Sequence, residues 1–291
     1  MSPSRLLTLV LVCLSVAFAL TLLSSPAQAQ DTPTFTTIDV PGAIETDANA
    51  INTNGVIVGF YLDSSSLAHA WVQINGTFKF LKPPGSTQSW AYGINDTNTV
   101  VGWYADSAGI QHGYSFSKGK YTKIDPPGTT TTNAWGVNSA GEIVGTYIGT
   151  DGIYHGFILS NGTYTKYDAP NSTLTQILGI NTAAEMVGIV IDTAGVQHGF
   201  TLVGTTYTQI DYPGATVTAA DKINDSNAFV GLHGTSSSGP FSGYINANNK
   251  FTNVNFPGAT ETRLRGINNG KMLVGRYTDS SGVIHGMMVT P

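Results

Sequence analysis

The sequence predicts an all-β protein, a six-bladed β-propeller of four-stranded antiparallel blades, and three observations predict it. One motif recurs six times at steps of 43 residues, 44 at the last step. Each copy holds four short alternating stretches separated by turn residues, and no stretch keeps a helical period. The repeat is also out of phase with the chain: it opens on a fourth stretch without its first three and closes on a third without its fourth. A period near 43 with four strands is that of propeller blades, with a solenoid of hairpins as the runner-up. In a propeller, the N-terminal strand, residues 35–42, completes the C-terminal blade and closes the ring. That removes two open sheet edges at once.

Each copy reads in the same order. The first strand ends on an apolar-Asn pair: Ile51-Asn52, Ile94-Asn95, Val137-Asn138, Ile180-Asn181, Ile223-Asn224 and Ile267-Asn268. A tight turn follows, with Gly55, Asn98, Gly141, Ala184, Asn227 or Lys271 at its fourth position, where Gly and Asn suit a left-handed backbone. The second strand alternates around Val-Gly, as in Val101-Gly102. Turns such as Asp106-Ser107-Ala108-Gly109 lead into a third strand that carries His-Gly-aromatic, as in His112-Gly113-Tyr114. Asn75-Gly76, Lys118-Gly119 and Asn161-Gly162 read as hairpin turns into the fourth strand. That strand stops at Pro41, Pro84, Pro127, Pro170, Pro213 or Pro257. The copies start near residues 43, 86, 129, 172, 215 and 259, in one domain spanning 30–291.

Residues 1–29 read as a signal peptide: Arg5, then an apolar run from Leu6 to Leu23, then Ala27-Gln28-Ala29 as the small-residue cleavage site. Cleavage there implies a secreted or periplasmic protein with no membrane attachment. Cys13, the one cysteine, falls inside the apolar run, so no disulfide framework is expected despite export. The net charge of −5 and the charged share of 11% exclude a basic nucleic-acid-binding surface. Few charges beside a 41% hydrophobic share also exclude a disordered chain.

His69, His112, His155, His198 and His285 recur in register, and the fifth copy has Ser242 near that place. Strands spaced about 4.8 Å put a third strand more than roughly 15 Å from a propeller axis. The histidines are then too far apart to share a metal, whose ligands sit near 2 Å. They are expected to satisfy polar groups within the blades, with Asp39, Asp125, Asp168 and Asp211 as candidate partners. Lys82 and Asn255 replace that acid in two copies. The Asp-Ser-x-Gly turns offer too few carboxylates for calcium and read as turn chemistry. No cofactor or metal is expected.

Function is expected where the copies differ. Five and three residues before each repeated Asn the identities scatter, on a first strand that lines the channel. The candidate ligand-binding residues there are Asp47, Asn49, Trp90, Tyr92, Asn133, Trp135, Gln176, Asp221, Arg263 and Arg265. Aromatic, amide and charged side chains of this kind can stack on and hydrogen-bond a sugar or other polar ligand; they can equally plug the channel. No nucleophile motif is present. Glu45, Asp47 and Glu261 form the one plausible acid–base set, because Glu45 and Glu261 share a repeat position in blades adjacent on ring closure. Glu142 and Glu185 lie in turns and are expected to face solvent. His233, off the repeat pattern, reads as a strand or loop residue.

The succession Gly-apolar-Asn, Val-Gly and His-Ala/Gly-aromatic, with His69-Ala70-Trp71 nearest to the signature, resembles the bacterial extracellular HAF repeat family over residues 35–289. The resemblance implies export and a repeat and brings no catalytic residue. The expected function is that of a binding or scaffold module, a monomer taking a carbohydrate or a cell-surface protein at the channel mouth. The alternatives are an extracellular glycan-acting hydrolase or lyase and a purely structural surface protein.

Overall fold

The turns required by the repeat shape the computed structural model, which describes residues 33–291. The signal-peptide reading, with Cys13, lies outside those residues. Gly55, Asn98, Gly141, Ala184, Asn227 and Lys271 all adopt positive φ, so the tight turn overrides the steric cost of Cβ even at Ala184 and Lys271. The turns closing each copy put Gly42, Gly85, Gly128, Gly214 and Gly258, and Asn171 in the fourth, at positive φ directly after Pro.

These turns separate 24 strands among the described residues. Strand β1 is Thr34–Ile38, and copy 1 follows as β2 to β5 (Glu45–Ile51, Ile57–Leu62, Ala68–Ile74, Thr77–Leu81). Copy 2 is β6 to β9 (Gln88–Ile94, Val100–Ala105, Gln111–Ser117, Lys120–Ile124). Copy 3 is β10 to β13 (Thr131–Val137, Ile143–Ile148, Tyr154–Ser160, Thr163–Tyr167). Copy 4 is β14 to β17 (Ser172–Ile180, Met186–Asp192, Gln197–Val203, Thr206–Ile210). Copy 5 is β18 to β21 (Val217–Ile223, Phe229–Gly234, Ser242–Ala247, Lys250–Asn253). Copy 6 has β22 to β24 (Glu261–Ile267, Leu273–Thr278, Ile284–Thr290). Within each copy the strands pair antiparallel in chain order, and β1 pairs antiparallel with β24 from Thr34↔Thr290 to Ile38↔Gly286.

Between copies 3 and 4 and between copies 4 and 5, the third strand of one also meets the first strand of the next in a single parallel bridge, Tyr154↔Leu174 and Gln197↔Val217. Strands β24 and β2 meet in the same way, at Ile284↔Glu45. The apolar core sits between neighbouring copies, as the alternation of each strand requires. Ile38, Val40, Ile51, Trp71 and Val274 form one such cluster, drawn from β1, the first copy and the last.

The repeated Asn residues make a closed cycle of hydrogen bonds. The side-chain amide of Asn52 donates to the Asn95 carbonyl, Asn95 to Asn138, Asn138 to Asn181, Asn181 to Asn224, Asn224 to Asn268, and Asn268 back to Asn52. Their Oδ1 atoms meanwhile accept backbone N–H groups across the tight turn, as in Val56→Asn52 and Thr99→Asn95. One residue type therefore closes the local turn and ties it to the next copy. Glu142 and Glu185 correct an expectation here. They are half-buried, and each carboxylate accepts from the side chain of the Asn four residues earlier, at 2.8 and 2.9 Å.

A Ser or Thr six residues before every repeated Asn is a further marker that the repeat reading passed over. All six, Thr46, Ser89, Thr132, Thr175, Thr218 and Thr262, are buried. Thr46, Thr175, Thr218 and Thr262 accept the backbone N–H of the chain leaving the preceding fourth strand, from Val40, Ala169, Tyr212 and Phe256.

The histidines hydrogen-bond within their copies, and His285 also to Asp39, just past β1. His112, His155, His198 and His285 meet Asp125, Asp168, Asp211 and Asp39 through Nδ1. Their Nε2 atoms face the turn acids Asp106, Asp151, Asp192 and Asp279. His69, whose copy has Lys82 at the acid position, pairs with its turn acid Asp63 at 2.8 Å. The turn acids also cap their own turns: Asp106 Oδ1 accepts from the N–H groups of Ala108 and Ile110. These bonds hold the turn-acid carboxyls below the usual carboxylate range.

Candidate functional site

A β-bulge in every first strand builds the site. The pairing of first and second strands skips the residue three before the repeated Asn in each copy: Asn49, Tyr92, Trp135, Leu178, Asp221 and Arg265. A bulge bends its strand and re-aims the extra side chain. It also drives the carbonyl two residues earlier against the second strand, which explains the invariant Gly of Val-Gly. A Cβ on Gly59, Gly102 or Gly231 would collide with the backbone oxygen of Asp47, Trp90 or Ala219.

All six bulged residues line one cavity of about 430 Å³. Its floor narrows where the repeated apolar residues Ile51, Ile94, Val137, Ile180, Ile223 and Ile267 converge. The cavity is not symmetric: Gln176, Gln197, Ala219, Leu232 and Arg263 add lining from copies 4, 5 and 6. Copy 5 departs from the repeat on this side. Its second turn is a longer loop, 235–241, from which Ser237, Ser238 and Phe241 reach the cavity, and Arg263 stacks over the Phe241 ring at 4.6 Å. His233, at the end of β19, stacks flat on Tyr212 at 3.5 Å and bonds Asn253.

Seven of the ten candidate ligand-binding residues meet at this cavity: Asn49, Tyr92, Trp135, Gln176, Asp221, Arg263 and Arg265. Asp47, Trp90 and Asn133 lie outside its lining. Trp90 is stacked on Trp103 at 3.7 Å across the β6–β7 pair, and Asp47 is buried beneath Arg276 at 3.3 Å. Tyr92 and Trp135 meet edge to face at 4.4 Å, with the Trp135 Nε1 donating to Thr146. Arg265 pairs with buried Asp221 at 2.9 Å.

The three candidate acid–base residues lie along a chain of charges beside the cavity rather than in its lining. Glu45 and Asp47 both accept from Arg276, and the cross-strand neighbour of Arg276 is Arg263, which pairs with Glu261. The second carboxylate oxygen of Glu261 accepts the backbone N–H of Phe241, fixing the end of loop 235–241. Burial raises Glu45 to about 7, reinforced by its hydrogen bond with Asp47 and the charge of that neighbour.

Lys222 is a further site residue, outside the candidates that the sequence singles out. It stands where copies 2, 3, 4 and 6 have Gly and copy 1 has Ala, two residues before the repeated Asn. It reaches both the cavity and its narrow floor, and its Nζ donates to the Leu178 carbonyl at 2.8 Å. Burial pulls its ammonium down to about 8, against the favourable charge of Asp221.

No family model and no curated protein matches the chain. Solved structures do. The Aleuria aurantia lectin, described as a six-bladed β-propeller with fucose recognition, superposes with a TM-score of 0.52 at 8% identity, over 88% of this chain and 98% of its own. The fold is that of a β-propeller. TolB from Acinetobacter baumannii superposes with a TM-score of 0.59 at 8% identity, over 81% of this chain and 64% of its own. The β-propeller domain of the Trilobed protease from Pyrococcus furiosus, with a TM-score of 0.52 at 8% identity, covers 84% and 94%. At such identities the likeness extends to the fold and no further.

Proposed function

We propose that this chain is an exported, closed six-bladed propeller that binds a carbohydrate in the cavity ringed by the bulged residues. The closed ring is supported by the hydrogen-bond cycle through the six Asn residues and by the β1–β24 pairing. The bulge ring carries the binding reading: one frame repeated six times presents a different side chain each time, among them Tyr92, Trp135, Asn49, Asp221 and Arg265. A structural plug calls for apolar side chains of similar kind, as at the Ile51 to Ile267 constriction below. Aromatic faces beside amides and charges, in a volume within the range of small-ligand sites, suit the alternating apolar and hydroxylated faces of a sugar. The fucose complexes of Aleuria aurantia lectin are a precedent on this fold.

The test is a glycan-array screen of the protein against a Ser237→Trp variant. Ser237 is exposed on loop 235–241 and lines the cavity, so an indole there obstructs the opening without touching the core. Glycan binding that disappears in the variant at an unchanged melting temperature is the expected result. Binding that survives the obstruction sinks the cavity as the site.

A further inference from the structure

Each arginine around the cavity is paired with a carboxylate, and the one lysine is not. Arg265 is matched by Asp221 and Arg263 by Glu261, and Arg276, behind the wall, is matched by Glu45 and Asp47. Lys222 has no carboxylate paired with it among the described residues; its one hydrogen bond goes to a backbone carbonyl. Lys222 is half-buried, and of the three donors of its ammonium one is used. The position itself needs no lysine, because the equivalent residue is Gly93, Gly136, Gly179 or Gly266 in other copies. The chain therefore places a cation at the narrow end of a cavity where its own fold asks for the smallest residue.

We propose that the cavity selects a sugar bearing a carboxylate, which takes the place of the missing counter-ion at Lys222. This rests on the carbohydrate reading above and names the ligand class within it. The neighbouring carboxylate of Asp221, whose Oδ1 pairs with Arg265 while its Oδ2 is buried without a partner, sets the charge that the ligand can carry. A single negative charge complements Lys222, whereas a doubly charged phosphate would add repulsion from Asp221. Gln176 and Gln197 offer amides to hydroxyl groups, and Tyr92 and Trp135 offer faces to the ring carbons. The lowered proton affinity of Lys222 agrees with an amine that waits for a counter-ion.

The experiment is an array carrying neutral, uronic-acid and sulfated glycans, with the methyl esters of the uronic-acid set. It is probed with the wild type and with Lys222→Met, Lys222→Arg and Lys222→Gly, the last restoring the residue of four other copies and securing a folded control. Carboxylate glycans should bind, and both methyl esterification and Lys222→Met or Lys222→Gly should weaken binding at least tenfold, while Lys222→Arg retains it. Neutral glycans bound equally by the wild type and Lys222→Met would overturn the carboxylate assignment and leave the carbohydrate reading standing. Binding confined to sulfated glycans would overturn it as well. Binding of no glycan class would remove both readings.

Discussion

Asn268 donates its side-chain amide to the backbone carbonyl of Asn52 at 2.9 Å, across 216 residues of chain. The same bond links Asn52 to Asn95 across 43 residues, so the last and first copies are joined by the contact that joins consecutive ones. Asn268→Ala removes that bond and strands the N–H of Met272, which Asn268 Oδ1 accepts at 2.9 Å. Each buried group left unpaired costs about 1–3 kcal/mol. Urea unfolding should show a loss of about 2–4 kcal/mol, against little change for exposed Ser139→Ala. Equal stabilities would remove the Asn cycle from the forces holding the copies together.

The cycle also marks what the sequence made legible. The Asn, Val-Gly, His and Pro markers gave the strand order, because each occupies a fixed turn or close contact in every copy. Gly and Asn mark the left-handed turn position in four copies, and the structure shows that Ala184 and Lys271 adopt it as well. The bulges were not readable. A bulge is a mismatch between two strands, so its signature, the Gly opposite it, looks like any tight-strand Gly until the pairing is known. That is why Trp90 and Trp135 stood together as candidates although one faces Trp103 and the other the cavity. Lys222 does leave a signal in the sequence, a long side chain in a column of small ones.

The N-terminal strand should matter far more than a terminal segment usually does. Ile38 and Val40 are buried against the first and last copies, and β1 covers the edge of β24 along five residue pairs. Deleting residues 33–41 exposes that edge and the apolar cluster together. The deletion is expected to leave little folded protein by circular dichroism at 37 °C, and Ile38→Ala alone to cost about 2–4 kcal/mol. A deletion variant with the wild-type melting temperature would show that β24 does not need its partner.

Glu45 gives stability a dependence on pH near neutrality. Burial, then Asp47, raises its folded pKa from 4.5 to about 7. A carboxyl whose folded pKa lies above its unfolded value contributes stability when protonated, and that contribution is lost as pH rises from about 4.5 through about 7. Glu45→Gln keeps a neutral hydrogen-bonding group at all pH values. Its stability relative to wild type should therefore rise between pH 5 and pH 8, by about 1–2 kcal/mol. Denaturation curves at the two pH values measure this directly; parallel pH profiles for the two proteins would place the titration elsewhere.

The two tryptophans of the variable columns should separate cleanly in function. Trp135 presents to the cavity beside Tyr92 and is held by the Thr146 hydroxyl, so Trp135→Ala removes part of the lining and one aromatic pair. Losing one stacking face costs about 0.5–1.5 kcal/mol, which lowers affinity for a bound glycan by about two- to tenfold. Trp90 is stacked on Trp103 and stands 6.3 Å from Phe60, centroid to centroid, outside the lining. Trp90→Ala should therefore lower the melting temperature and leave glycan affinity within a factor of two, the reverse of the Trp135→Ala result. Measured side by side by calorimetry and thermal unfolding, the pair tests whether the bulge, rather than the mere variability of a position, decides which side chains belong to the site. If Trp90→Ala proved the more damaging to affinity, the cavity would not be the binding surface.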